Sequence, residues 1–191
     1  STQWMEIPKY LENQEKRGNI LLIKKSTQHA IHCFSTILLQ DPYNVNALSG
    51  RGIAFCMASK WEKAYYDLKN AKNMDPSSLL IRRYLALALT ALGLNSEAVC
   101  ELTFIIDSNY TLFEPRFERA KIQMVRRRFH LALQDFSLIP EQWINEYVWS
   151  YTAECHYQTG MLWPAKSAIE KSAHVEGIKG YFCHFLILRE L

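Results

Sequence analysis

The sequence predicts an all-α solenoid of helix-turn-helix repeats, and three observations carry that prediction. Ala30, Ala64, Ala98 and Ala132 each stand 34 residues after the last. The same step links Gly18, Gly52, Ala86 and Ala120, and again Phe34, Leu68, Leu102 and Phe136. Pro42 and Pro76 keep it as well. A fixed period of roughly 20 to 50 residues marks a repeat protein, in which each unit buries the apolar face of its neighbour. Outer faces are then left free for binding.

The second repeat, residues 45–78, reads most clearly. From Asn46 to Ala58, the residues Ala47, Leu48, Ile53, Ala54, Phe55 and Met57 recur at helical rather than alternating spacing. Ser59 and Lys60 break the pattern, and a second helix is predicted from Trp61 to Met74 with Ala64, Tyr65, Leu68 and Ala71 on one side. Asp75-Pro76 stops it, because proline lacks the amide donor and pushes its predecessor out of the α region. Two helices approach closely only where side chains are small. Gly52 and Ala64 therefore mark the expected crossing point, with Phe55 and Leu68 filling the space beside it. Glycine inside a helix costs about 1 kcal/mol relative to alanine, which a close contact justifies.

This repeat resembles the tetratricopeptide repeat (TPR), on the strength of Leu48, Gly52, Phe55, Ala64, Leu68, Ala71 and Pro76. A first repeat over 11–44 keeps Gly18, Leu21, Ala30, Phe34 and Pro42. A third over 79–112 keeps Leu85, Ala86, Leu89, Ala98, Leu102 and Ile105, with Tyr110 where proline is usual. A fourth over 113–145 keeps Ala120, Ala132 and Phe136, with Gln123 departing from the pattern. A fifth over 146–177 has Trp149, Ala153 and Ala165, one residue short of the regular step. The resemblance implies a right-handed α-α superhelix occupying 1–191 as a single solenoid. A C-terminal helix over 178–191 is apolar on more than one side. Phe182, Phe185 and Leu188 are expected to meet a partner or a next repeat, so the chain reads as a fragment of a longer array.

Composition fits a folded domain: 49% of residues are hydrophobic and 21% charged, too apolar for a disordered chain. A net charge of +3 is too small by itself to point to nucleic acid. Five cysteines, an odd number without a C-x-x-C pair, fit reduced thiols in an intracellular, cytoplasmic or nuclear setting. No apolar run approaches the ~18 residues that a membrane span needs.

Chemistry is scarce. The sequence has no phosphate loop, no H-E-x-x-H and no G-x-S-x-G. The G-x-G of Gly50 and Gly52 falls within a helix, where its amides are already bonded. His29, His32 and Cys33 cluster, but zinc takes about four convergent ligands and no second group answers them. Glu114 and Glu118 share a helix face with Arg116 and Arg119 as ordinary surface partners. No catalytic residue, metal ligand or cofactor is expected, and hence no enzyme. The basic run Arg126, Arg127 and Arg128 lies at the turn within the fourth repeat, where it is a solvated turn or an anion contact.

In the family, first helices line a concave groove through recurring slots. Carried over, these include Asn46, Ser49, Ile53, Cys56 and Met57 in the second repeat, and Leu80, Arg83, Leu87, Thr90 and Ala91 in the third. The fourth repeat offers Glu114, Phe117, Lys121, Met124 and Val125, and the fifth Tyr147, Ser150, Glu154, Tyr157 and Gln158. Asn46, Arg83, Phe117, Lys121, Tyr147, Glu154 and Tyr157 are the residues expected to meet a partner. Such a mixed surface suits a protein or peptide with apolar anchors. The basic clamp that related cochaperones close on a chaperone's C-terminal carboxylate is absent. Its slots read Glu15, Asn19, Gly50, Leu80 and Tyr84 from the first repeat, or Ser49, Ile53, Tyr84, Glu114 and Glu118 from the second. The resemblance implies a non-enzymatic interaction scaffold within a larger complex. The alternative, a solenoid that binds nucleic acid or phosphate, is disfavoured by Glu114 and Glu154 standing among Arg83 and Lys121.

Overall fold

The computed structural model describes residues 3–109 and 111–172, with side chains from Lys9 onward and Glu146 excepted. In chain order these residues form α1 (Gln3–Ile23), α2 (Thr27–Gln40), α3 (Val45–Met57), α4 (Trp61–Met74), α5 (Leu79–Ala91) and α6 (Asn95–Ser108). There follow α7 (Phe113–Val125), α8 (Phe129–Ser137), a 3₁₀ turn (Glu141–Trp143), α9 (Glu146–Gln158) and α10 (Leu162–Ser172). The chain divides into two compact units, one ending at Glu101 and the other beginning at Leu102. In the first, α2 packs on α1 and α3, and α4 on α3 and α5. In the second, α8 packs on α7 and α9, and α10 on α9. The expected helix over 178–191, with Phe182, Phe185 and Leu188, lies outside the described residues.

Both ends of the first helices have a local cause. A helix leaves its first amides without partners, and a short polar side chain before it supplies an acceptor. Asn44 Oδ1 accepts from the Ala47 amide at 2.9 Å, and Asn145 Oδ1 from those of Tyr147 and Val148. Ser78 Oγ does the same for Ile81. The turns between paired helices each use one left-handed residue: Lys25, Ser59, Gly93, Arg127 and Gly160, with φ between 54° and 76°. At each, two amides reach back to the last helical carbonyls, as Arg127 N–H to Met124 O and Arg128 N–H to Gln123 O. The first four positions are 34 residues apart and the last step is 33. That missing residue falls where α8 ends early, at Ser137.

Packing follows the alanine ladder. Ala30, Ala64, Ala98 and Ala132 are fully buried, and so is Ala165 of the shortened repeat. Contact at Gly52 is closer than a simple crossing: a Cβ there would lie 2.6 Å from Leu68 Cγ. Leu68 thus occupies the space a side chain would take. Gly18 and Gly50 receive the ring of the fully buried Phe34 in the same way. The G-x-G of α3 is therefore a pair of packing seats.

A second ladder is made of carboxylates. Asp67, Glu101 and Asp135 are spaced by 34 and are all buried. Arg51 grips Asp67 through Nε at 2.7 Å and Nη2 at 2.9 Å, and its Nη1 reaches Ser35 Oγ. Arg119 repeats this in the second compact unit. Its Nε and Nη2 meet Asp135 at 2.9 and 2.6 Å, and Nη1 donates to Thr103 Oγ1 at 2.9 Å. Glu101 is held instead by Lys72 and Arg82. Arg119 was expected to be a surface partner of the α7 glutamates. It turns into the core, and Glu118 pairs with Lys121 at 2.8 Å.

Candidate functional site

The C-terminal half of α7, the turn after it and the facing side of α9 enclose a depression of about 500 Å³ within the second compact unit. Helical spacing puts Lys121, Met124 and Val125 of α7 along one edge. From α9, Tyr151, Glu154 and Gln158 recur at three and four residues and line the other. Arg127 and Phe129 close the end. The left-handed φ of 57° at Arg127 reverses the chain there and brings its side chain to the rim.

The floor is rigid because it belongs to the core. Phe117 meets Tyr151 edge-on at 5.7 Å and Phe136 at 6.0 Å, and Phe136 stacks on Tyr151 at 6.2 Å. Such aromatic contacts add about 0.5 to 1.5 kcal/mol each beyond the area they bury. Lys121 lies over the Phe117 ring at 5.1 Å, leaving its ammonium at the surface beside Glu118. Arg127 is exposed and, among the described residues, makes no ion pair. Behind α9, burial pushes the Cys155 thiol up to about 12, with the Glu154 carboxylate adding to it. A thiol so placed stays protonated and inert. Burial also lowers the His156 imidazole below its usual value, and its Nδ1 has no hydrogen-bond partner.

Of the residues singled out from sequence, Lys121, Glu154 and Arg127 come together here, with Phe117 beneath them. Asn46 and Arg83 stand in the first compact unit, both exposed, with the Asn46 amide donating to Glu15 at 3.1 Å. Tyr147 is exposed at the start of α9, outside the depression. Tyr157 packs on the Ala153, Ala165, Ala168 and Ile169 cluster. Arg126 is half-buried and Arg128 exposed, both outside the lining. Ile53 and Cys56, assigned to the groove by their slots, are buried instead, and the Cys56 thiol lies 3.7 Å from Tyr84 O. Tyr151 and Phe129 line the site but hold slots not assigned to the groove. Their aromatic side chains beside the basic turn were the available signal.

Among the described residues no three His, Cys, Asp or Glu side chains converge as a metal site requires. None of the described helices is long and apolar enough to cross a membrane.

Tandem antiparallel helices with left-handed turns at a 34-residue step, closing on a buried alanine ladder, define the tetratricopeptide-repeat solenoid, and this chain has that fold. No family model and no curated protein sequence matches it. Among solved structures, MamA from AMB-1 superposes with a TM-score of 0.80 at 17% identity, covering 87% of this chain and 99% of its own. MamA from MSR-1 gives 0.78 at 17% identity, covering 86% of this chain and 95% of its own. YrrB, a TPR protein with an unusual peptide-binding site, gives 0.80 at 17% identity, covering 99% and 96%. At this identity the likeness is one of fold.

Proposed function

We propose that this protein is a non-enzymatic scaffold, a single array with repeats over 11–44, 45–78, 79–112, 113–145 and 146–177, that holds a partner protein or peptide within a larger complex. The observation that carries this reading is the depression between α7 and α9, where groove slots from two successive repeats meet over an aromatic floor. It offers apolar side chains for anchoring and separated polar groups for orientation, the makeup of a peptide site. Similarity to YrrB, itself a peptide-binding TPR protein, supports the same reading. A partner or a further repeat on Phe182, Phe185 and Leu188 belongs to the proposal as well. So does an intracellular setting, which the free thiols of Cys33, Cys56, Cys100 and Cys155 support. The lining mixes Lys121 and Arg127 with Glu154, which does not suit a run of phosphates.

Photo-crosslinking in cells tests the proposal. Benzoylphenylalanine at Val125, 72% exposed on the rim, should give a reproducible crosslink that maps to one segment of one partner. The same group at Tyr66, 67% exposed on α4, should not. Equal labelling at both positions, or none at Val125, refutes the groove assignment.

A further inference from the structure

We infer that the α7–α9 depression selects an acidic-apolar peptide segment, one in which carboxylate side chains stand next to aliphatic ones. This inference rests on the scaffold reading above and names the chemistry of its partner. Three observations argue for it.

Charge comes first. Two cations, Lys121 and Arg127, and one carboxylate, Glu154, line the depression. Among the described residues Arg127 makes no ion pair, and the ion pair of Lys121 is with Glu118, itself half exposed, at i,i+3. Exposed pairs of that kind contribute little, so Lys121 is readily recruited by an incoming carboxylate. Arg126 and Arg128 flank Arg127 in sequence and raise the local positive potential.

Apolar surface comes second. Val125 is 72% exposed at the rim although it is aliphatic, and Met124, Phe129 and Tyr151 continue that surface inward. Val125 and Arg127 line the same depression, so a segment that seats an aliphatic side chain on the first can set a neighbouring carboxylate beside the second. The third observation concerns the far edge. Glu154 supplies acceptor oxygens, and Gln158 both donates and accepts. Together they match the N–H and C=O groups of a peptide backbone, which neither a lipid tail nor a free anion offers.

The test uses the full chain and three fluorescein-labelled decapeptides, acetylated and amidated so that no terminal carboxylate contributes. They share a Gly-Ser frame around a centre of Leu-Glu-Glu-Leu, Leu-Gln-Gln-Leu or Ser-Glu-Glu-Ser. Fluorescence anisotropy should show the first binding at least roughly tenfold more tightly than either of the others. Raising the salt concentration should weaken the first and leave the second unchanged. Arg127→Gln should abolish the difference between the glutamate and glutamine peptides, and Arg127→Lys should restore most of it. Val125→Ser should weaken the Leu-Glu-Glu-Leu peptide while leaving the far-ultraviolet circular dichroism spectrum intact. Equal affinity for the glutamate and glutamine peptides overturns the inference, as does a difference that survives Arg127→Gln. If none of the three binds, the acidic-apolar assignment is wrong. Crosslinking at Val125 then decides separately whether the groove holds some other segment.

Discussion

Removing the carboxylate of Asp135 should destabilise the second compact unit by about 2 to 3 kcal/mol. Asp135 is 4% exposed and accepts two hydrogen bonds from Arg119, at 2.9 and 2.6 Å. Asp135→Ala leaves the guanidinium with Thr103 Oγ1 and the weaker attraction of the Asp107 carboxylate. Orphaning one member of a fully buried ion pair costs about 3 to 5 kcal/mol. Here the Arg119 side chain keeps 19% of its surface, so water reaches one edge and the cost falls below that range. Asp135→Asn preserves shape and one acceptor and should cost about half as much. The double variant Arg119→Met, Asp135→Leu carries no orphaned charge and should be more stable than Asp135→Ala alone. Urea denaturation followed by circular dichroism at 222 nm measures all three. A loss under about 0.5 kcal/mol for Asp135→Ala would show that the pair is not a determinant of stability. So would a double variant no more stable than Asp135→Ala. Asp67→Ala, with the same geometry around Arg51 in the first compact unit, should behave alike.

Other consequences follow from the turns, the thiols and the buried imidazole. Gly93→Ala meets no atom within 4 Å, so its cost is backbone strain alone, about 1 kcal/mol in a thermal melt, whereas Ser59→Gly should be neutral or stabilising. Burial pushes the Cys56 and Cys155 thiols up to about 12, so native alkylation at pH 8 should label exposed Cys100 well before either, as read by peptide mapping. Because burial lowers the His156 pKa, the unfolded chain binds a proton more readily than the native one. Stability should therefore hold above about pH 6.5 and fall as pH drops towards the lowered native value, and His156→Gln should flatten that slope in urea titrations at successive pH values.

The helices and the alanine ladder were legible in the sequence because both are local or strictly periodic. Proline stops, small crossing residues and helical spacing each act within a few residues, and the 34-residue step extends them along the chain. The carboxylate ladder is equally periodic but is hidden by its residue type, since a charged residue in a helix ordinarily faces solvent. Two pairings 68 residues apart, Arg51 with Asp67 and Arg119 with Asp135, were the available clue. Site residues were less legible. Lys121 and Glu154 hold groove slots and line one depression. Tyr157 also holds such a slot and packs on the cluster of Ala153, Ala165, Ala168 and Ile169.

What separates a packing slot from a surface slot is the neighbour that covers it. The slot of Lys121 in the fourth repeat is that of Ile53 in the second, and the slot of Met124 is that of Cys56. In the second repeat both are buried, Cys56 against the backbone of α5. In the fourth both are half-buried and line the depression, where Tyr151 of α9 rests on Phe117 and Phe136. The turn position adds the last element. Every repeat places a left-handed residue there, and glycine satisfies the geometry at Gly93 and Gly160. Arginine at 127 satisfies it at a cost of about 1 to 2 kcal/mol and adds a cation to the rim. Lys25 and Ser59 accept the same strain in their own turns, but Arg127 also lines the depression, so its charge is where the recognition chemistry of this groove should be sought first.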